Sequence, residues 1–125
     1  MKSRLFWLII SLILFAGLAG LNVLAFQYFW YWRFAWFDIL MHGLGGVAIA
    51  MFTGAILYTR PLILRTYGLV TLSVLAALVS GVAWEVFEFA LDRYDLTDTT
   101  IDLLLAMVGA LVGARVFNYF YRHVA

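Results

Sequence analysis

The chain has no cysteine, which removes disulfides, thiolate metal ligands and thiol nucleophiles together. Proline occurs once, at Pro61, in a short segment that divides two apolar stretches. Charged residues make up only 12% of the 125 positions, against about 25% in a soluble domain. The net charge of +1 and the lack of a basic stripe interleaved with aromatics exclude nucleic acid as a bulk electrostatic partner. Also missing are a serine in a nucleophile motif, a glycine loop ahead of a helix that could cradle phosphate, and an arginine cluster that could recognise it. No internal repeat, low-complexity tract or flexible linker divides the chain.

What the chain does have is apolar surface, at 66% of its residues, the composition of an integral membrane protein. Four stretches are long enough to span, at about residues 5–26, 39–58, 67–91 and 101–121. A span consumes about 20 residues, so the expected fold is a single all-α bundle of four transmembrane helices. The breaks read "FQYFWYWRFAWF", "TRPLILRT" and "DRYDLTDTT". Lys2 and Arg4 ahead of an apolar run with small residues at Ala16, Gly17, Ala19 and Gly20 share features with a secretory signal. The run continues past those small residues, so it reads as a retained span.

Lys2 and Arg4, Arg60 and Arg65, and Arg122 fall on one side of the spans, whereas Arg33 and Arg93 fall on the other. The positive-inside rule therefore predicts cytoplasmic termini and an outward-facing aromatic run and aspartate loop. This is the layout expected of a multi-pass protein of a bacterial or archaeal cytoplasmic membrane. The nine aromatics from Phe26 to Phe37 fit an interfacial belt.

Six of the seven acidic residues lie between Gly81 and Asp102. Glu85, Glu88 and Asp92 are spaced i, i+3, i+7, Asp38 and His42 i, i+4, and Asp98 and Asp102 i, i+4. Each set shares one face of its helix at the same expected depth. Asn22 on the first span can join them. Small residues continue these faces toward the other side: Ala106, Gly109 and Gly113 after Asp102; Gly81, Ala77 and Ser73 before Glu85; Gly45 and Gly46 after His42. Small residues let helices approach closely in lipid, so the polar faces are predicted to be the packing faces.

An Asp at the centre of a span costs about 2.5 to 3.5 kcal/mol, and Glu85 is expected about 9 Å below its helix end at 1.5 Å per residue. Two arginines cannot neutralise seven carboxylates, so raised pKa values, shared protons or a bound cation are required. Simpler readings compete: Asp38 as an N-cap, Thr99 with Asp102 as a capping box, and Asp92 and Asp95 as solvated loop residues. His123 has no acidic company. The expected metal ligands are Asp38, His42, Asp98 and Asp102, with Glu85 and Glu88 as the catalytic proton carriers. Oxygen-rich with one nitrogen, the set suits Mg²⁺, Mn²⁺ or Zn²⁺ and does not choose between them.

A D-x-x-x-H at Asp38 and His42, an E-x-x-E at Glu85 and Glu88, and a D-x-x-x-D at Asp98 and Asp102 leading to Gly109 and Gly113 resemble the small VanZ-like and YjdF-like bacterial membrane proteins over residues 36 to 115. VanZ-like members tend to have Lys after the first Asp, Gln at Glu88 and Asn at Ala106, so this chain sits nearer the YjdF-like side. VanZ-like proteins are associated with resistance to a lipoglycopeptide antibiotic at the cell surface. The resemblance implies an outward-facing site near lipids and envelope precursors, and supplies no substrate. Small bacterial diacylglycerol kinases also carry intramembrane glutamates, but they meet ATP in the cytoplasm, and their Asn and Lys partners are missing here.

Two function classes follow. In one, the pocket is a metal-dependent active site for an outer-leaflet lipid or lipid-linked envelope substrate. In the other, it binds a cation or protons in a transporter component, sensor or assembly factor.

Overall fold

The structure, a computed structural model, describes residues 4–91 and 95–124. Lys2, Asp92 and Arg93, which enter the charge reading above, lie outside the described residues. Among the described residues six helices follow one another: α1 Arg4–Gln27, α2 Trp30–Arg33, α3 Ala35–Leu57, α4 Pro61–Tyr67, α5 Leu69–Ala90 and α6 Leu96–Val124. No strand occurs among the described residues. Helices α1, α3, α5 and α6 are each long and apolar enough to cross a membrane, so the chain is a four-span membrane protein. In hydrocarbon every backbone polar group must be satisfied within its own segment, and a helix does this.

The short helices resolve two breaks that read from sequence as loops. Pro61 opens α4 at its first turn, where its missing N–H costs nothing and its fixed φ is already helical. Gly68 then turns the chain into α5 at φ +75°, a conformation that disfavours any residue with a Cβ. In the aromatic run, Phe29 takes the left-handed conformation at φ 58°. That turn folds α2 back so that Trp30 and Tyr31 pack on Phe37, with ring centroids 5.5 and 5.2 Å apart. Phe37 is buried, while Phe29, Trp32, Phe34 and Trp36 stay exposed as a belt requires.

Helix α3 is the hub, packing against α1, α5 and most extensively α6; the backbone of α1 comes close to α3 and α2, and its Trp7 side chain reaches Phe117 of α6. Near the acidic end the α3–α6 seam is backbone on backbone, Gly43 against Gly109 and Val47 against Gly113; further along, Gly54 lies against the Phe117 ring. Residue numbers rise together along both helices, so they run parallel. Without a hydrophobic force between helices in lipid, close approach through small residues supplies the attraction. The predicted stripes on the third and fourth spans are this seam and its neighbour: Ser73, Ala77 and Glu85 are buried on α5, and Asp102, Ala106, Gly109 and Gly113 on α6. Gly46 is buried in the seam, whereas Gly45 is not and faces a cavity.

At the end away from the acidic residues, Trp7, Met51, Leu69, Ala114 and Phe117 form the apolar core. Trp7 packs on Phe117 at 4.7 Å. Ser11 and Thr53 donate to the carbonyls of Trp7 and Ile49, each at 2.8 Å. A hydroxyl in a span is thereby satisfied within its own helix.

Candidate functional site

Three helices bring their acidic faces together at one end of the bundle. Helix α3 begins at Ala35, four residues earlier than the sequence reading placed it. Asp38 therefore lies inside the first turn and does not cap; the N-cap position is Phe34, with no side-chain cap. One turn on, His42 Nε2 stands 3.4 Å from Asp38 Oδ1 and 3.2 Å from Asp102 Oδ2 of α6. Asp102 is 4% exposed, so its carboxylate meets His42 out of solvent. The capping-box reading of Thr99 and Asp102 is overturned. Asp95 caps α6 instead, accepting from the amides of Thr97 at 2.8 Å and Asp98 at 3.2 Å.

Thr99 is engaged elsewhere, its hydroxyl donating to Glu85 Oε2. Glu85 is 7% exposed and does not line the cavity. Its contact joins α5 to the first turns of α6. Glu88, one turn further along α5 and half-buried, does line the cavity, as does Asp98 at its exposed rim. Of the six residues singled out from sequence, five therefore border one space, and Glu85 holds its wall together.

That space has a volume of about 670 Å³, within the range of about 300 to 1,000 Å³ typical of small-ligand sites. Asn22 of α1 reaches it and accepts a hydrogen bond from the Tyr31 hydroxyl. Burial, then the negative fields of Asp38 and Glu88, push that hydroxyl up to about 12, so Tyr31 is a neutral donor at any physiological pH. No spacing or motif marks Tyr31 as a site residue. It sat among nine aromatics that all fit a belt.

Asp38, His42 and Asp102 each offer one ligand atom, all within 4.8 Å of one another. One proton on Nε2 can point at only one of its two carboxylate neighbours. Donors bound at about 2.1 Å around an ion stand about 3.0 to 3.4 Å apart, the spacing that Nε2 keeps from both oxygens. The three residues thus form a group that could hold a small divalent cation.

A family model described as predicted membrane protein DUF2238 matches residues 2–123. The chain belongs to that family. No curated protein and no solved structure matches it. The family description agrees with the four spanning helices and assigns no reaction, so the chemistry of this DUF2238 member is argued from the cavity.

Proposed function

We propose that the cavity is an outward-facing divalent-cation site that serves chemistry on an outer-leaflet lipid or lipid-linked envelope substrate. The supporting observation is the convergence of Asp38, His42 and Asp102 within 4.8 Å, on two helices in backbone contact. A divalent ion there would supply Lewis acidity. Three protein ligands leave room for substrate. Asp98 is the next donor at the rim, and Glu88, in the same space, is the group placed to hold or move a proton. Glu85 is left out of this role because Thr99 already engages it.

The outward orientation rests on the basic residues Arg4, Arg60 and Arg65 at the opposite end. The resemblance to VanZ-like and YjdF-like proteins supports a bacterial or archaeal cytoplasmic membrane and a substrate near the cell envelope. A second reading has its own support. His42 Nε2 lies within 3.4 Å of both aspartates, so the positive charge of a protonated imidazole can offset theirs without any metal, while its one Nε2 proton points at either of them. The protein would then be a cation- or proton-binding transporter component, sensor or assembly factor.

Metal analysis of the purified protein, paired with mass spectrometry of native lipids incubated with it, separates the two. His42→Ala and Asp102→Asn are expected to lose a retained divalent ion, whereas Glu88→Gln keeps the ion and loses lipid turnover. A wild type that takes up no ion and leaves every lipid class unchanged overturns the enzymatic reading. Ion uptake altered by all three changes, with no lipid consumed, selects the second.

A further inference from the structure

The acidic cluster occupies only one end of the cavity. On α1 its lining runs from Phe15 to Phe26, and on α5 from Ala77 to Glu88. Each is eleven steps along a helix, about 16 Å at 1.5 Å per residue. That is about half of a hydrocarbon core some 30 Å thick, so the cavity is about one leaflet deep. Its polarity changes along that depth. Asn22 and Glu88 stand at the end shared with Asp38 and His42, whereas Phe15, Leu18, Ile49 and Ala77, with the Ser80 hydroxyl among them, line the remainder.

The cavity is also open sideways. Helices α1 and α5 face each other across it and make no close backbone approach. A second cavity of about 570 Å³ lies between them, lined by residues of α1 and α5 and by Leu91 at the end of α5. The two spaces share Asn22, Phe26, Trp84 and Glu88. A continuous path therefore leads from the surface between α1 and α5, where lipid chains are the solvent, to the Asp38, His42 and Asp102 cluster.

We propose that the slot between α1 and α5 is a lateral portal, through which one hydrocarbon chain of an outer-leaflet phospholipid lies along the apolar part of the cavity with its phosphate directed at the acidic cluster. Three features favour this occupant. The groove has the depth of one leaflet, its walls are apolar apart from Ser80 where a chain would lie, and its only polar end is the one at headgroup level. A water-soluble substrate would not need a 16 Å apolar slot open to lipid. The placement of the phosphate rests on the cation reading above, because a bare acidic cluster repels an anion; the placement of the chain does not.

The test uses the full chain in nanodiscs containing phosphatidylglycerol with a photoactivatable diazirine near the end of one acyl chain. After irradiation, adducts are mapped by mass spectrometry. Exposed Leu44 reports ordinary surrounding lipid, and Ile49, which lines the cavity floor on the same helix, reports the groove. Wild type is expected to label at both. Ala19→Trp and Ser80→Trp place bulk in the slot from exposed positions, and should lose the Ile49 adduct while keeping that at Leu44. Ala16→Trp, exposed and outside the cavity, should keep both. Absence of the Ile49 adduct in the wild type, or its survival in both slot variants, overturns the proposal. Stripping the ion or introducing His42→Ala separates the two readings. Loss of the Ile49 adduct ties the phosphate to the cation, and its persistence leaves the chain site standing while removing the cation from lipid binding. A protein that retains an ion but never labels Ile49 fails on the groove alone.

Discussion

One methyl group at Gly109 is expected to destabilise the bundle, and the same methyl at its contact partner Gly43 is not. The contact is asymmetric. A Cβ on Gly109 would overlap the Gly43 carbonyl oxygen and stand 2.9 Å from its carbon and 3.2 Å from its Cα, whereas one on Gly43 meets nothing within 4 Å. The atoms in the way are backbone, so no side chain can rotate to relieve the clash. Helices α3 and α6 must part, and a gap of about 0.5 to 1 Å already forfeits a quarter to a half of a dispersion contact. Overpacking of this kind costs about 1 to 3 kcal/mol. The helix-propensity gain of Gly→Ala, about 0.5 to 1 kcal/mol, applies to both variants and cancels in their difference. Unfolding midpoints in sodium dodecyl sulfate titrations of detergent-solubilised protein, read by tryptophan fluorescence, should therefore place G109A about 1 to 3 kcal/mol below G43A. Gly46 and Gly45 form a second matched pair, since a methyl at Gly46 overlaps the Ala106 carbonyl and one at Gly45 meets open space. Equal midpoints within each pair would refute the assignment of the seam.

The Thr99 hydroxyl is the partner of buried Glu85, so Thr99→Val should cost about 1 to 3 kcal/mol in the same titration; no loss would mean that Glu85 is satisfied without it. Single cysteines at Thr97 and Arg65 should be labelled by an impermeant maleimide from opposite faces of sealed cells, Thr97→Cys from outside. Labelling of Arg65→Cys alone from outside would put the acidic cavity in the cytoplasm and remove the outer-leaflet substrate.

The convergence of Asp38, His42 and Asp102 was legible because two independent patterns agreed. Helical spacing put the ionisable groups on one face, and small residues marked that face as the packing one. Spacing alone could not separate Glu85 from Glu88. Three residues advance a helix by about 300°, enough to turn one carboxylate into the cavity and the other onto the first turns of α6. The start of α6 was equally underdetermined, since "DLTDTT" offers several capping residues in a row. Thr99 falls inside the first turns of α6, past the Asp95 cap, and its hydroxyl is bonded to Glu85, a contact fourteen residues away in sequence. Helix α4 was hidden because two arginines and a proline in eight residues read as a loop, although proline is well suited to a first helical turn.

Helix α1 stands apart from the other three spans in how it is held. It packs on α3 and meets α2 but makes no backbone approach to α5 or α6. Its deep end is anchored by Trp7 on Phe117, and its other end by Asn22 on Tyr31. The distance between His42 and Asp102 is fixed by the near stretch of the α3–α6 seam, where Gly43 and Gly46 meet Gly109 and Ala106. The room inside the cavity, by contrast, depends on how α1 leans against α3. Capacity and ligand spacing are thus under separate mechanical control, so this wall can make way for guests of different girth while the three polar side chains keep their places.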